Sequence, residues 1–237
     1  MEQAAQETGP APDFRHVREW IFDLDNTLYE AKSDVFPQIE RRMGEFVGRL
    51  LRLEAAEARQ VQKSLYRAHG TTLNGLVKEH GIDPELFLDY VHDIDLSSLV
   101  PQPRLTAAVA RLPGRRFVFT NGCRNHAARV LERLGLTALF DGIWDIRACG
   151  FVPKPDAAAY ERVVAEANIA PAQAAMFDDI ARNLIAAHTL GMTTVWLNTG
   201  AAWSKDGPDI PVESGAVIDH ETSDLIGFLH SLRIGHE

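Results

Sequence analysis

The fold of this chain is decided by residues 20–25, which read Trp-Ile-Phe-Asp-Leu-Asp. A short apolar run that ends in carboxylates is typical of a buried parallel strand whose carboxyl end opens into a site. Residues two apart in an extended chain face the same side, so Asp23 and Asp25 can address one cavity. Paired carboxylates repel each other, and Mg²⁺, which prefers oxygen ligands, resolves that repulsion. The alternative for an isolated Asp-x-Asp is a pair of solvated loop aspartates.

Further apolar runs with the character of strands follow along the chain. They cover residues 117–119, 143–144, 174–177, 193–197 and 216–218. Helical patterns lie between or after them, at residues 125–134, 157–167, 181–190 and 223–232. Strands that alternate with helices predict parallel βαβ units, and therefore an α/β fold with a doubly wound parallel sheet.

One long region between the first two predicted strands lacks a strand pattern. From residue 31 to residue 99 the sequence shows successive amphipathic helical segments, one of which opens at Asp83-Pro84 with an N-cap residue followed by proline. We therefore predict an all-helical insertion over 31–99, a core domain formed by 15–30 and 100–237, and a flexible tail over 1–14.

Composition limits the classes of partner. The chain has 237 residues, and 24 Lys and Arg against 33 Asp and Glu give it a net charge of −9. Such an acidic protein is a poor match for a nucleic-acid backbone or an anionic membrane surface. The sequence has no apolar stretch near the ~20 residues that span a bilayer, and its two cysteines form no disulfide framework. We expect a cytoplasmic protein with neither a membrane nor a nucleic-acid polymer as partner.

Three further groups of polar residues can join the first aspartate pair. Asp178 and Asp179 directly follow one apolar run, so they can meet that pair at the carboxyl edge of a parallel sheet. Thr-Asn-Gly at 120–122 follows another run and precedes a helix, which suits a phosphate. Lys154, between two prolines, can extend from an ordered loop to a phosphate or a carboxylate. Taken singly, the aspartate pair is more often a helix cap than a metal site, Thr-Asn-Gly is also a common turn, and Lys154 could equally be an exposed loop lysine.

Together and in this order, the groups resemble a known family. Asp-Leu-Asp-Asn-Thr-Leu-Tyr at 23–29, Phe-Thr-Asn-Gly at 119–122, Lys154 and Phe-Asp-Asp at 177–179 are similar to the four motifs of the haloacid dehalogenase superfamily. The resemblance implies a Rossmann-like core with a helical cap after the first motif. Residues 69–70, 75–77 and 125–127 further resemble the pyrimidine 5′-nucleotidase-like branch. Ile180 departs from the pattern, in which a small polar residue often follows the aspartate pair.

The resemblance implies a phosphatase mechanism. Asp23 would be the nucleophile that forms an aspartyl-phosphate, and Asp25 would protonate the leaving oxygen and later take a proton from water. Thr120, the backbone at Asn121 and Lys154 would bind the phosphate. A halide leaving group needs no acid, whereas an alkoxide does. An aspartate two residues after the nucleophile therefore favours a phosphatase over a dehalogenase.

The resemblance also implies a Mg²⁺ cofactor and a set of substrate contacts. The ion would be bound by Asp23, the main-chain carbonyl of Asp25, and the pair Asp178-Asp179. The leaving group would contact the cap and the loops that face it. Candidate contact residues, all polar or aromatic, are Asn26, Tyr29, Tyr66, Thr71, Asn74, Arg124 and His126.

The expected substrate is a small phosphorylated metabolite, foremost a pyrimidine nucleoside 5′-monophosphate. Phosphoglycolate, a sugar phosphate and a phosphomutase reaction are the enzymatic alternatives. A phosphoaccepting signalling module and a non-catalytic binding protein are alternatives of another class. Signalling modules are shorter and carry no helical insertion, and a non-catalytic relative should have lost Asp23 or Lys154, so a phosphatase is favoured. Both a monomer and a homodimer stay open.

Overall fold

The computed structural model describes residues 11–200 and 217–235. Its main sheet has six parallel strands in the order β4-β3-β2-β5-β6-β7, and a separate parallel pair joins β1 to β8. The strands are β1 (Asp13–Phe14), β2 (Glu19–Phe22), β3 (Arg115–Phe119), β4 (Gly142–Trp144), β5 (Ala174–Asp178), β6 (Thr193–Leu197), β7 (His220–Thr222) and β8 (Arg233–Ile234).

Helices flank this sheet and fill the interval between β2 and β3. They are α1 (Val35–Leu51), α2 (Ala55–His69), α3 (Thr72–His80), α4 (Pro84–Val91), α5 (Pro103–Ala110), α6 (Arg124–Leu134), α7 (Ala157–Glu166), α8 (Leu184–Thr189) and α9 (Leu225–Ser231). The parallel sheet with flanking helices confirms the predicted fold class, and α1 to α4 form the helical segment inserted after β2. No helix in the described ranges is long and apolar enough to cross a membrane.

Strand β2 lies at the centre of the sheet and joins its two halves. Ile21 is paired with Phe117 of β3 on one side and with Met176 of β5 on the other. Its side chain belongs to the apolar cluster on one face, whereas Trp20 and Phe22 belong to the cluster on the opposite face. This alternation is the period of two expected of a strand buried on both faces. Because β2 is a central strand, its carboxyl end lies in the middle of the edge at which the parallel strands end.

The inserted helices are tied to the core at both ends of α4. Arg147 of the core forms hydrogen bonds of 2.8 Å with the carboxylate of Glu85 at the start of α4. Arg129 of α6 donates hydrogen bonds to the carbonyls of His92 and Ile94, at 3.0 and 2.8 Å, just beyond the other end of α4. These contacts fix the point at which the chain returns from the insertion to the sheet.

The structure differs from the sequence prediction at both ends of the chain. The last strand of the main sheet is β7 at 220–222 rather than 216–218, and residue 216 lies outside the described residues. The backbone N–H of Thr194 in β6 donates to the side chain of Asp219, and the Thr194 hydroxyl donates to the carbonyl of Val217. These contacts with a side chain at one end take the place of strand pairing before His220. Part of the predicted tail is ordered, because Phe14 is fully buried in β1; residues 1–10 are outside the described ranges.

Two helical differences are smaller. Helix α5 is absent from the predicted elements; it begins at Pro103, and proline at the first turn of a helix is compatible with a helical start. The predicted helix over 181–190 begins with a 3₁₀ turn at 181–183, and only α8 that follows is α-helical.

The turn before β3 supplies a test of the packing around β2. Gly114 has φ of +81°, and a Cβ placed there would lie 2.1 Å from the carbonyl oxygen of Arg18, which precedes β2. Gly191 has φ of +90° with no atom within 4 Å of the same position. Both Gly→Ala variants incur backbone strain of about 1–2 kcal/mol. We expect Gly114→Ala to lower the free energy of unfolding by about 1–3 kcal/mol more than Gly191→Ala, because of the clash.

Urea denaturation of the two variants and the unchanged chain measures this difference. Equal losses in the two variants would show that the Arg18 carbonyl does not constrain residue 114.

Candidate active site

The carboxyl ends of β2 and β5 bring two aspartates to a buried lysine. Asp23 follows β2, and its backbone N–H donates to the carbonyl of Phe177, at 2.8 Å. Lys154 Nζ donates hydrogen bonds of 2.7 Å to Oδ1 of Asp23 and 2.7 Å to Oδ2 of Asp178. The Lys154 side chain is only 1% exposed, so it is a buried bridge between two carboxylates rather than an exposed loop lysine.

Asn121 holds the backbone of Lys154 in place. Its side-chain Nδ2 donates to the Lys154 carbonyl at 3.1 Å, and its Oδ1 accepts from the Lys154 N–H at 2.8 Å. The amide thus occupies both backbone hydrogen-bonding groups of one residue, as a neighbouring strand would. The side chain of Asn121 positions the lysine, and its backbone is the part left to face a ligand.

Burial and like charges dominate the electrostatics of this cluster. Burial raises the pKa of Asp23 to about 7, with the nearby Asp178 acting in the same direction and the Lys154 ammonium opposing both. Burial alone would lower the pKa of Lys154, but the two carboxylates outweigh it and hold that pKa above its ordinary value. The lysine is therefore a fixed positive charge.

Three buried carboxylates converge at this point. Oxygens of Asp23, Asp178 and Asp179 all lie within 4.8 Å of one another. Asn183 orients Asp178 by donating from Nδ2 to both of its oxygens, at 3.0 and 3.2 Å. Three converging carboxylates supply the hard oxygen ligands that Mg²⁺ prefers, so this donor set fits a divalent cation.

Asp25 lies in a different environment from Asp23. Its Oδ1 accepts a hydrogen bond from the hydroxyl of Tyr29 at 2.5 Å and contacts Nε2 of His126 at 2.8 Å. Burial raises the pKa of Asp25, but His126 and the hydrogen bonds from His126 and Tyr29 lower it by more, and the net shift is downward. The side chain of Asp25 is not part of the three-carboxylate group, so only its main-chain carbonyl stays a candidate ligand.

The loops after β2 and β3 carry polar groups close to these carboxylates. Thr120 is 2% exposed, and its hydroxyl oxygen accepts a 2.9 Å hydrogen bond from the N–H of Gly122. Asn26 has φ of +62°, and among the described residues neither its Oδ1 nor the hydroxyl of Thr27 has a hydrogen-bond partner, although both atoms are buried. Unpaired buried oxygens are costly, so this loop is polar beyond what the fold requires.

The remaining predicted contact residues divide between the site and the scaffold. Tyr66 of α2 meets Arg182 of the core, whose guanidinium lies 4.8 Å from the tyrosine ring centre and donates to its hydroxyl. Thr71 caps α3, where it accepts the N–H of Asn74 at 3.0 Å. Arg124 is exposed and donates to the carbonyl of Ile143 at the edge of the sheet, away from the hydrogen bonds of the carboxylate cluster.

Sequence reasoning missed three residues at this edge. Arg182 and Asn183 lie three and four residues after Asp179, and proximity to that motif is the signal that could have found them. His92 carries no local signal: it lies at the end of α4, and its ring stacks on His126 with centroids 4.5 Å apart. Burial lowers the pKa of His92 to about 3, so this ring is neutral at pH 7.

The comparisons with known proteins agree with this geometry. A family model described as haloacid dehalogenase-like hydrolase matches residues 20–191. "Phosphate metabolism protein 8" from Saccharomyces cerevisiae is 29% identical over 189 residues, which are 73% of this chain and 59% of the yeast protein. The chain thus spans about three fifths of the length of this relative.

Solved structures show the same fold. A protein described as a predicted phosphoglycolate phosphatase from Haemophilus somnus superposes with a TM-score of 0.60 at 18% identity, covering 91% of this chain and 97% of that one. A hydrolase from Bacillus subtilis, solved with magnesium bound, gives 0.57 at 17% identity, covering 90% and 97%. The order of the strands, the buried aspartates that follow them and the match of the family model agree, and the chain belongs to the haloacid dehalogenase-like hydrolases.

Proposed function

We propose that this chain is a Mg²⁺-dependent phosphomonoester hydrolase that acts through an aspartyl-phosphate. The observation that supports this most is the buried group of Asp23, Lys154 and Asp178, in which a carboxylate at the end of the central strand adjoins a fixed positive charge. The names of the yeast relative, which refers to phosphate metabolism, and of the Haemophilus structure, which refers to a phosphatase, point to the same chemistry.

In the first step an oxygen of Asp23 attacks phosphorus, and a new oxygen–phosphorus bond forms as the bond to the ester oxygen breaks. The departing alkoxide takes a proton from the carboxyl group of Asp25 and leaves as an alcohol. In the second step Asp25 accepts a proton from water, and the resulting hydroxide attacks phosphorus. The bond between Asp23 and phosphorus breaks, so inorganic phosphate is released and Asp23 becomes a carboxylate again. Protons and electrons balance over the cycle.

The phosphate would be held by groups at the ends of β2 and β3. Thr120, the backbone N–H groups beside Asn121, and Lys154 would donate to its oxygens. Mg²⁺ would be bound by Asp23, Asp178, Asp179 and the main-chain carbonyl of Asp25, and it would supply positive charge against the repulsion between a carboxylate and a phosphate dianion. Each unit-charge pair at ~4 Å is worth about 4 kcal/mol at an effective dielectric of ~20.

We further propose that residues 31–99 act as the cap of a core made of 15–30 and 100–237, and that the cap selects the leaving group. Tyr66 of α2, in contact with Arg182 of the core, brings an aromatic face and a cation together where cap and core meet. An aromatic ring is suited to stacking on a nucleobase, so the proposed substrate is a pyrimidine nucleoside 5′-monophosphate. Phosphoglycolate is the second candidate, because of the description of the Haemophilus structure.

The nucleophile is tested by Asp23→Asn. The amide cannot form the intermediate, so phosphate release should fall by a factor on the order of 10³ or more. Phosphate release from p-nitrophenyl phosphate, with Mg²⁺ present, is the measurement. Asp83→Asn is the matched control, because Asp83 is an exposed cap of α4 and Asn caps a helix equally well. Full activity in Asp23→Asn would exclude the proposed mechanism.

The substrate is tested with a panel of UMP, CMP, AMP, GMP, phosphoglycolate and several sugar phosphates. If the cap selects a pyrimidine nucleotide, UMP and CMP should give kcat/KM values at least about tenfold above the rest, which is about 1.4 kcal/mol of discrimination. A preference for phosphoglycolate, still abolished by Asp23→Asn, would keep the mechanism and replace the substrate.

The metal site is tested by thermal unfolding with and without Mg²⁺. At about 100 times Kd, binding should stabilise the fold by about 2.7 kcal/mol and raise Tm by about 5–10 °C. Asp179→Asn replaces a charged carboxylate ligand with a neutral amide and should lose most of that rise in Tm. Asp145→Asn changes another buried aspartate, one outside the three-carboxylate group, and should keep it. An equal rise in Tm on adding Mg²⁺ in both variants would contradict the assignment of Asp179 as a metal ligand.

A further inference from the structure

Among the described residues, the hydrogen bonds to the carboxylate of Asp25 all reach one of its two oxygens. Both the hydroxyl of Tyr29, at 2.5 Å, and Nε2 of His126, at 2.8 Å, contact the same oxygen, Oδ1. Burial is the main cause that raises the pKa of Tyr29 well above its ordinary value, and the negative charge of the nearby Asp25 adds to it. The hydroxyl therefore keeps its proton and donates a hydrogen bond to Asp25. Two donors occupy the lone pairs of Oδ1 and leave Oδ2 to exchange a proton with substrate.

His126 is not placed to contact a substrate itself. Its side chain is fully buried, and one edge of the ring meets Asp25. Its other ring nitrogen, Nδ1, is buried and has no hydrogen-bond partner among the described residues. A polar atom buried without a partner lowers the stability of the fold, so packing alone does not account for a histidine here. The contact with Asp25 is the polar interaction that accounts for a histidine at this position.

His92 keeps the imidazole of His126 in this orientation. The two rings stack with centroids 4.5 Å apart and an angle of 15° between their planes. His92 itself is anchored, because its carbonyl accepts a 3.0 Å hydrogen bond from Arg129, which lies on the same helix as His126. The stack therefore joins the end of the last inserted helix to α6 of the core.

We propose that His126, backed by His92, is a positioning residue that donates from Nε2 to Oδ1 of Asp25 and so presents Oδ2 to the leaving oxygen. This inference rests on the proposed phosphatase function. It assigns to the inserted helical segment a part in the acid–base step, through His92, in addition to its part in selecting the leaving group. It replaces the sequence-based expectation that His126 contacts substrate.

The role of His126 is tested by two substitutions that differ in one donor. His126→Leu removes the N–H and keeps an apolar side chain, whereas His126→Gln places an amide nitrogen close to the position of Nε2. Val130→Ala, on the same buried face of α6, is the control for lost packing alone. Circular dichroism and Tm establish that each variant is folded.

The measurement is the rate of leaving-group release in the first turnover, for an alkyl phosphate and for p-nitrophenyl phosphate. An alkoxide needs the proton from Asp25, whereas p-nitrophenolate leaves without it. We expect His126→Leu to slow the alkyl ester about 10–100-fold and the nitrophenyl ester less than about threefold. His126→Gln should recover most of the loss, and Val130→Ala should slow both esters equally or not at all.

A second readout does not depend on activity. ¹⁵N NMR of histidine-labelled protein reports whether Nε2 of His126 carries a proton, which the proposal requires. An Nε2 without a proton, or equal slowing of both esters in His126→Leu, would overturn the positioning role while the phosphatase function stands. A native chain that releases phosphate from neither ester would instead overturn the proposed function, and the positioning role with it.

Discussion

The rest of the site depends on one interaction, the burial of the Lys154 ammonium between Asp23 and Asp178. Taking carboxylates out of water is costly, and without a cation the end of β2 could not be packed against the end of β5. The lysine satisfies one oxygen of each aspartate at 2.7 Å, and Asn121 holds its backbone. Three strand ends, those of β2, β3 and β5, are thereby connected through one ammonium group.

The same carboxylates that Lys154 joins also form a set of oxygen ligands. Oxygens of Asp23, Asp178 and Asp179 converge on one point, and the Lys154 ammonium lies between Asp23 and Asp178. Burial, with the nearby Asp178 acting in the same direction, raises the pKa of Asp23. Carboxylates gathered in this way are suited to bind a second cation, and their oxygens favour a hard one. Stability and cation affinity therefore have the same origin.

Local patterns predicted the core of the fold and of the site, whereas contacts between distant segments were beyond them. The apolar run of β2 and the aspartates after it are adjacent in the chain, so one short stretch indicates both strand and site. The start of β7 depends on the side-chain contact of Thr194 with Asp219, which no local pattern records. The stacking of His92 on His126 likewise requires the path of the inserted helices to be known.

Asp23 and Asp25 are two residues apart, yet their surroundings shift the pKa of each in opposite directions. The pKa of Asp23 is raised mainly by burial, whereas the pKa of Asp25 is lowered because His126 and Tyr29 contact its Oδ1. In the proposed mechanism, a lowered pKa suits the base that accepts a proton from water, but the same group must first act as an acid. A phosphate dianion bound there would add negative charge beside Asp25, and nearby negative charge raises the pKa of a carboxyl group. The proposed substrate would therefore itself favour protonation of Asp25 before the ester bond breaks, and the release of phosphate would restore the carboxylate.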